Sequence, residues 1–280
     1  MSEFADARIA REVSADFAAG ERAPPSTKGR VLMRLPPTAA QILVVIPTLN
    51  EAKSIGPTIE RLRRQGCVDV RVIDNGSTDS SADAARAADA DVIAEPVKGY
   101  GMACWRGLQD LPAHTEWILF CDADGCDDLE ALPSFIEAAN KGAEYVLANG
   151  LATKAGRGNL TLPQRFGNQL ATKLIRLIWG ARFHDLGPMR LIHRALLDEI
   201  AMRDRGFGWT VEMQIRVAQL GAPYAEIPVA YHARQHGRSK ISGTVRGVVM
   251  AGSVILSTIA YHAISRHKQV HPEKNAGDKQ

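Results

Sequence analysis

The first 150 residues alternate short apolar runs with patterns typical of amphipathic helices. The runs are rich in β-branched residues and too short for helices, which is typical of strands buried on both faces. They lie at 42–47, 70–74, 91–94, 117–122 and 144–148. Helical spacing of apolar residues follows at 55–62, where Ser54 is the expected N-cap, and at 80–88 and 129–141. The alternation predicts an α/β fold, a Rossmann-like and mainly parallel sheet flanked by helices.

Candidate ligand-contacting residues stand at the ends of three of the predicted strands. Pro47, Asp74 and the segment 122–124 each stand at or just beyond the carboxyl end of a run. In open parallel sheets, ligands bind outside these ends. We therefore expect the ligand site at this edge of the sheet.

The alternation stops after Gly150. The second part predicts a glycine-rich loop, a helix over 165–179, a short strand near 188–193, helices around Leu196 and Glu212, and a strand over 225–231. An uncharged apolar stretch at 248–264 ends the pattern. It is shorter than the roughly 20 apolar residues that a bilayer span needs, so a helix packed on the protein is expected, with an interfacial or spanning helix as the alternatives.

Charge divides unequally along the chain. Residues 1–140 carry 14 Lys and Arg against 22 Asp and Glu, and residues 141–280 carry 20 against 9. The acidic half is suited to a divalent cation, and the basic half to phosphates or an anionic surface. We expect a basic acceptor-side region in the C-terminal part and no nucleic-acid partner.

The segment "CDADGCDD" places four carboxylates within seven positions. Asp122 and Asp124 offer hard oxygen ligands two residues apart, which favours Mg²⁺ or Mn²⁺. Asp127 and Asp128 are expected to face water or to begin the next helix. An aspartyl phosphatase also opens with D-x-D-G and is an alternative class.

The segment "KGYGMACWRG" contains G-x-G, but Cys104 stands where a dinucleotide fingerprint has its third glycine. Gly99 and Gly101 instead favour a turn whose backbone approaches a ligand. Lys98 would offset the charge of that ligand.

Four segments in this order, "VVIPTLNE", "VIDNGSTD", "KGYGMA" and "CDADG", resemble the family 2 glycosyltransferases with the GT-A fold. The resemblance runs from about residue 42 to 240. "QRFGN", "HDLGPMR", "WTVEMQ" and "RQHGRSK" are similar to the branch that transfers mannose or glucose to dolichyl or polyprenyl phosphate. The resemblance implies a nucleotide-sugar donor, a divalent cation and inversion at the anomeric carbon.

The resemblance also implies residue roles. Donor contacts fall on Pro47, Glu51 and Asp74, and the metal and diphosphate motif falls on Asp122 and Asp124. Phosphate contacts fall on Arg165, Arg234, Ser239 and Lys240. Three positions depart from the pattern: Leu49 replaces a frequent aromatic, Asn75 replaces a second Asp, and Cys126 stands where some relatives have a third metal ligand.

The acceptor decides whether a general base is needed. A lipid phosphate is largely dianionic near neutral pH and needs cationic positioning, whereas a hydroxyl must lose a proton to a base. Glu212 and Asp185 are the candidate bases for a hydroxyl. We expect transfer of a hexose from a UDP- or GDP-sugar to a polyprenyl phosphate. A soluble hydroxyl acceptor and a catalytically silent nucleotide-sugar binder are the alternatives.

Three segments are predicted: a flexible arm at 1–40, the GT-A domain at 41–240, and an apolar helix with a polar tail at 241–280. The arm is charged and interrupted by proline pairs, with no apolar core of a secretory signal. The four cysteines form no C-x-x-C pair, which favours a reducing compartment. We expect a cytoplasmic protein, peripheral at the inner face of the membrane when the acceptor is a lipid, and a homo-oligomer is an open alternative.

Overall fold

Seven strands form one sheet in the part of the chain that the computed structural model describes, residues 38–234, 236 and 245–270. The sheet order is β3-β2-β1-β4-β6-β5-β7. The strands are β1 (Ile42–Thr48), β2 (Asp69–Asp74), β3 (Asp91–Ala94), β4 (Trp117–Phe120), β5 (Tyr145–Asn149), β6 (Arg190–His193) and β7 (Tyr224–Pro228). All five strands predicted before Gly150 are present.

Most neighbouring strands run parallel, as predicted. β1 pairs with β2 and β4, β2 with β3, and β5 with β7, all in parallel. β6 lies antiparallel between β4 and β5. The sheet is therefore mainly parallel, with one inserted strand from the second part of the chain.

Helices cover both faces of the sheet. They are α1 (Ile55–Arg64), α2 (Ser81–Ala87), α3 (Tyr100–Gly107), α4 (Leu132–Asn140), α5 (Lys154–Asn159), α6 (Leu162–Trp179), α7 (Arg194–Ile200), α8 (Trp209–Leu220) and α9 (Val245–Val270). Ser54 holds the N-cap position of α1, but its side chain makes no capping hydrogen bond. The glycine-rich segment after β5 was predicted as a loop, whereas it contains the short helix α5.

The core consists of two apolar layers, one on each face of the sheet. The first joins β1, β2 and β4 to α1 and α4, and the second joins the sheet to α3, α6, α7 and α8. Side chains alternate between the layers along β1, with Val44 in the first and Val45 in the second. This burial on both faces explains the continuous apolar runs in the sequence.

The predicted apolar helix at the end of the chain is α9, and it packs against α6 and α8. Ile259 and His262 on α9 are almost fully buried. Within the described residues, no helix is both long enough and apolar enough to cross a membrane. The boundary predicted at residue 40 lies two residues after the first described residue, residue 240 lies outside the described residues, and both boundaries stay predictions.

Candidate active site

The carboxyl ends of β1, β2 and β4 bring the donor-side residues to one edge of the sheet. Thr48 at the end of β1 is in register with Asp74 at the end of β2. Asp122 and Asp124 follow β4, which pairs with the other side of β1. Pro47, Asp74 and the two aspartates therefore share one edge, as the sequence predicts.

Asp122 lies in an environment that disfavours its charge. Burial and the neighbouring Asp124 carboxylate raise its pKa to about 7, although the Tyr100 hydroxyl donates to it at 3.3 Å. One pKa unit corresponds to about 1.4 kcal/mol of differential interaction between protonation states. A bound cation would relieve this strain, because opposite charge favours the ionised carboxylate.

Asp124 already contacts a cationic side chain. Arg234 donates to Asp124 Oδ2 at 2.5 Å and to Glu51 Oε1 at 2.7 Å. Both carboxylates are under 10% exposed, and the Arg234 side chain is 22% exposed. A member of the predicted phosphate-binding motif thus meets both a predicted donor residue and a predicted metal ligand.

Asp127 does not face water, contrary to the sequence expectation. Its side chain is buried, and its Oδ2 accepts a hydrogen bond from the Asp122 backbone at 2.8 Å. Burial and the Asp122 charge raise the pKa of Asp127 well above its usual range. Asp128 precedes a short 3-10 helix and accepts from the Ala230 backbone, in partial agreement with the expectation of a helix start.

The chemistry of these oxygen donors fits a hard divalent cation. Asp122 and Asp124 present carboxylates two residues apart, and the raised pKa of Asp122 indicates negative charge that is only partly offset. Cys126 would be a poor further ligand in this state, because burial and the Asp124 carboxylate raise the pKa of its thiol far above neutral. The two aspartates are the residues that would hold Mg²⁺ or Mn²⁺.

A second group of potential ligands lies nearby. Side-chain ligand atoms of Asp128, Glu130 and His232 lie within 4.8 Å of one another. Glu130 is paired with Arg61 at 2.5 Å, and this pairing lowers the pKa of Glu130 to about 2. No histidine was assigned as a metal ligand from the sequence, and only spatial proximity identifies His232 here.

Asn75 has a structural role that explains one departure from the family pattern. Its amide nitrogen donates to the carbonyls of Glu95 and Val97, and its amide oxygen accepts from Gly99. A carboxylate at this position has no hydrogen to donate to the two carbonyls. Asn75 thereby ties the end of β2 to the loop that carries the exposed Lys98.

The glycines of that loop approach another backbone segment, whereas the sequence suggested a ligand. A Cβ atom on Gly101 would come within 2.7 Å of the Arg205 carbonyl carbon. The Gly101 N–H donates to Gly206 O at 2.9 Å. Close packing of two loops is therefore the observed reason for glycine at this position.

Asp185 lies beside a cavity of about 150 Å³ next to the acidic segment. Its carboxylate accepts from Gly150 N at 2.8 Å and from the Asn168 side chain at 2.5 Å. Burial raises its pKa. Asp127, Gln164 and Tyr231 also line the cavity. Asp127 and Gln164 belong to the segments "CDADGCDD" and "QRFGN", but none of the three has a predicted role in the site.

Glu212 lies in the core at the first turn of α8. Its side chain is 0% exposed and accepts from the backbone N–H groups of Arg203 and Asp204 and from Arg216. The carboxylate is thus surrounded by donors from the protein itself. This geometry matches the role of a buried partner for an arginine, and a general-base role has no support from it.

The predicted phosphate-binding residues are placed only in part. Arg165, in the first turn of α6, donates to the backbone carbonyls of Leu160 and Arg157. Ser239 and Lys240 lie outside the described residues. Of this set, the structure brings Arg234 to the donor residues.

The fold and the site define a nucleotide-sugar transferase of the GT-A type. Residues 43–201 match the profile of "Glycosyl transferase family 2", which is more than half of the chain. The protein therefore belongs to glycosyltransferase family 2. This membership excludes the aspartyl phosphatase considered from D-x-D-G.

Characterised and uncharacterised relatives support the assignment. An uncharacterized glycosyltransferase of Mycobacterium tuberculosis is 32% identical over 75% of this chain and 94% of its own. A dolichyl-phosphate hexose transferase of Haloferax volcanii is 30% identical over 78% and 94%. An undecaprenyl-phosphate mannosyltransferase of Micrococcus luteus is 30% identical over 74% and 90%.

Solved structures share the fold. Glucosyl-3-phosphoglycerate synthase from Mycobacterium tuberculosis, crystallised with Mn²⁺, uridine diphosphate and phosphoglyceric acid, superposes with a TM-score of 0.63 at 22% identity. The match covers 79% of this chain and 78% of that one. The predicted GT-A fold is confirmed.

Proposed function

We propose that the protein transfers a hexose from a UDP- or GDP-sugar to a polyprenyl phosphate, with inversion and with Mg²⁺ or Mn²⁺ as the cofactor. The observation that carries this proposal is the contact of Arg234 with Asp124 and Glu51. The contact brings Arg234, one member of the basic C-terminal motif, to two carboxylates predicted on the donor side. The relatives that act with dolichyl and undecaprenyl phosphates support the choice of acceptor.

The donor lies along the edge formed by β1, β2 and β4. Pro47, Glu51 and Asp74 contact its base and ribose, and the exposed Lys98 offsets diphosphate charge. Asp122 and Asp124 hold the metal ion. When bound, this ion supplies Lewis-acid stabilisation of the charge that develops on the departing diphosphate.

The transferred sugar occupies the cavity beside Asp185. Polar side chains of Gln164, Asn168 and Asp127 face this space together with Tyr231. Carboxylate and amide groups are suited to hydroxyl recognition, since they offer both donors and acceptors. Asp185 is held by Asn168 and Gly150 and acts as a positioning residue for this wall.

The acceptor phosphate needs cations and no proton transfer. An acceptor phosphate oxygen attacks the anomeric carbon opposite the leaving diphosphate, so one C–O bond forms as the other breaks. Arg165, Arg234, Ser239 and Lys240 position the phosphate. The engagement of Glu212 and Asp185 with protein donors supports this base-free reaction over transfer to a hydroxyl.

The proposed acceptor places the enzyme at a membrane surface as a peripheral protein on the cytoplasmic side. The excess of Lys and Arg in residues 141–280 supports this location. Lipid acceptors remain in the bilayer while their phosphate lies at the interface, where a peripheral enzyme reaches it.

A donor panel tests the proposal. The full chain is incubated with Mn²⁺, a short-chain polyprenyl phosphate in detergent and, in turn, UDP-glucose, UDP-galactose and GDP-mannose. We expect release of UDP or GDP from one donor, dependent on the lipid phosphate, together with a hexosyl lipid by mass spectrometry. Asp124→Asn should abolish release, and Asp83→Asn, at an exposed carboxylate, should not. Tight nucleotide binding without release in any combination would identify a silent binder.

A further inference from the structure

One side of α6 combines exposed apolar and basic residues. Because each residue rotates the helix by about 100°, six positions share a single stripe along the helix. We call it the outward stripe: Leu162, Phe166, Gln169, Lys173, Arg176 and Leu177. Leu162 is 75% exposed, Phe166 67% and Leu177 82%. Three large apolar side chains in water on one helix face indicate an interaction surface.

The other side of α6 belongs to the protein interior and to the site. Ala171, Thr172 and Ile175 are buried against the core. Gln164 and Asn168, one and two turns into the helix, line the cavity proposed for the sugar. Whatever binds the outward stripe therefore lies one helix diameter, about 10 Å, from this cavity.

The segment around α6 has a one-sided charge. Residues 145–184 contain six Lys and Arg and no Asp or Glu, in a chain with 31 acidic residues among 280. Lys154, Arg157, Lys173, Arg176 and Arg182 are exposed. This surface is complementary to an anionic partner.

A second copy of the chain is a poor occupant of the outward stripe. In a two-fold symmetric dimer the same patch meets itself, so Lys173 and Arg176 would lie against a surface of the same positive charge. Like charges at short distance oppose such pairing. A bilayer with anionic headgroups instead satisfies both features, since it offers acyl chains to apolar residues and phosphates to cations.

We infer that the outward stripe of α6 docks the enzyme on an anionic phospholipid surface. Leu162, Phe166 and Leu177 enter the boundary between headgroups and acyl chains, while Lys173 and Arg176 contact lipid phosphates. The functional meaning of this contact rests on the proposed function, because it brings the cavity to the depth of a polyprenyl phosphate headgroup. The contact itself is measurable without catalysis.

Vesicle flotation of the full chain tests the contact. The vesicles contain phosphatidylcholine alone or with one quarter phosphatidylglycerol. We expect binding to the anionic vesicles, weaker binding in 0.5 M NaCl, and little binding to the neutral ones. Lys173→Ala with Arg176→Ala should weaken partitioning roughly 30-fold, from about 1 kcal/mol for each charge near the surface. Arg64→Ala with Lys141→Ala is the control of equal charge change at exposed sites.

Apolar variants separate docking from general electrostatics. Leu162→Gln with Phe166→Gln should reduce binding at constant charge, whereas Val68→Gln, at a side chain that is 54% exposed, should not. Both stripe variants should keep transfer to a short lipid phosphate in detergent. Equal vesicle binding by the wild type and both stripe variants would overturn the inference. A wild-type dimer in solution that becomes a monomer in the stripe variants but not in the control variants would overturn it as well. If the wild type binds the anionic vesicles as expected but neither it nor any variant transfers hexose to the lipid phosphate, only the proposed function is refuted.

Discussion

Arg234→Ala should tighten the binding of Mn²⁺ to the protein in the absence of nucleotide, while it lowers the rate of transfer. The first effect follows from the contact between Arg234 and Asp124 at 2.5 Å. A metal ion that takes the Asp124 oxygen must displace this guanidinium. Removing the guanidinium removes the competitor, so metal affinity should rise.

The magnitude follows from the bond that is exchanged. A hydrogen bond to a charged group contributes about 1.5–3 kcal/mol, and every 1.4 kcal/mol is tenfold in affinity. Asp124 is 6% exposed, so solvent weakens the contact only modestly. The dissociation constant for Mn²⁺ should therefore fall by roughly 10- to 150-fold.

The assay is a titration of the nucleotide-free protein with Mn²⁺, followed by electron paramagnetic resonance or calorimetry. Arg234→Lys is the matched control: it keeps the positive charge but loses the fork that reaches both Glu51 and Asp124, so its Mn²⁺ affinity should lie between those of the wild type and Arg234→Ala. Steady-state transfer by the same variants should fall in Arg234→Ala, since the acceptor phosphate loses a cation. Unchanged or weaker Mn²⁺ binding by Arg234→Ala would show that Arg234 does not compete with the metal ion for Asp124.

The remaining predictions concern four other groups. Asp124→Asn should abolish metal-dependent donor binding while circular dichroism stays close to that of the wild type, and activity that persists in EDTA would contradict the metal assignment. Asp74→Ala should raise the dissociation constant of the donor nucleotide by calorimetry, and an unaltered value would place the base elsewhere. Glu212→Gln should lower the melting temperature, because it weakens a buried pair with Arg216, yet reduce transfer less than the hundredfold or more typical of a lost general base. Burial lowers the pKa of His262 to about 3, so below pH 6.5 this side chain binds a proton in the unfolded chain and stays neutral in the folded one. The free energy of unfolding should therefore fall by about 1.4 kcal/mol per pH unit from pH 6.5 towards 3. Chemical denaturation of His262→Gln should show a smaller slope.

Local sequence patterns predict most of the strands and helices that the structure contains. The strands around Val44 and Leu119 are buried on both faces, which requires uninterrupted β-branched and apolar residues, and such runs are recognisable in the sequence. The place of β6 in the sheet could not be predicted from the sequence, because its antiparallel insertion between β4 and β5 depends on pairing with distant residues. The predicted edge for the ligand follows from strand direction alone.

Site residues could be predicted from the sequence where neighbouring residues in one motif share a chemical role. Asp122 and Asp124 are two residues apart, so their shared role is visible in the sequence. The burial of Asp127 depends on a loop that folds back to the Asp122 backbone, and an acid before a helix ordinarily faces water. The contact of Arg234 with Asp124 joins positions 110 residues apart and needed the structure.

The most direct test of the central claim is the transfer of radiolabelled hexose into a lipid. The wild-type protein and the donor identified by the panel are incubated with a short polyprenyl phosphate and a water-soluble alcohol, in Mn²⁺ or in EDTA, and the label in the organic and aqueous phases is counted. We expect a Mn²⁺-dependent product that mild acid hydrolyses to free hexose and polyprenyl phosphate. Label that appears only on the water-soluble alcohol, with none on the lipid phosphate, would contradict transfer to a polyprenyl phosphate.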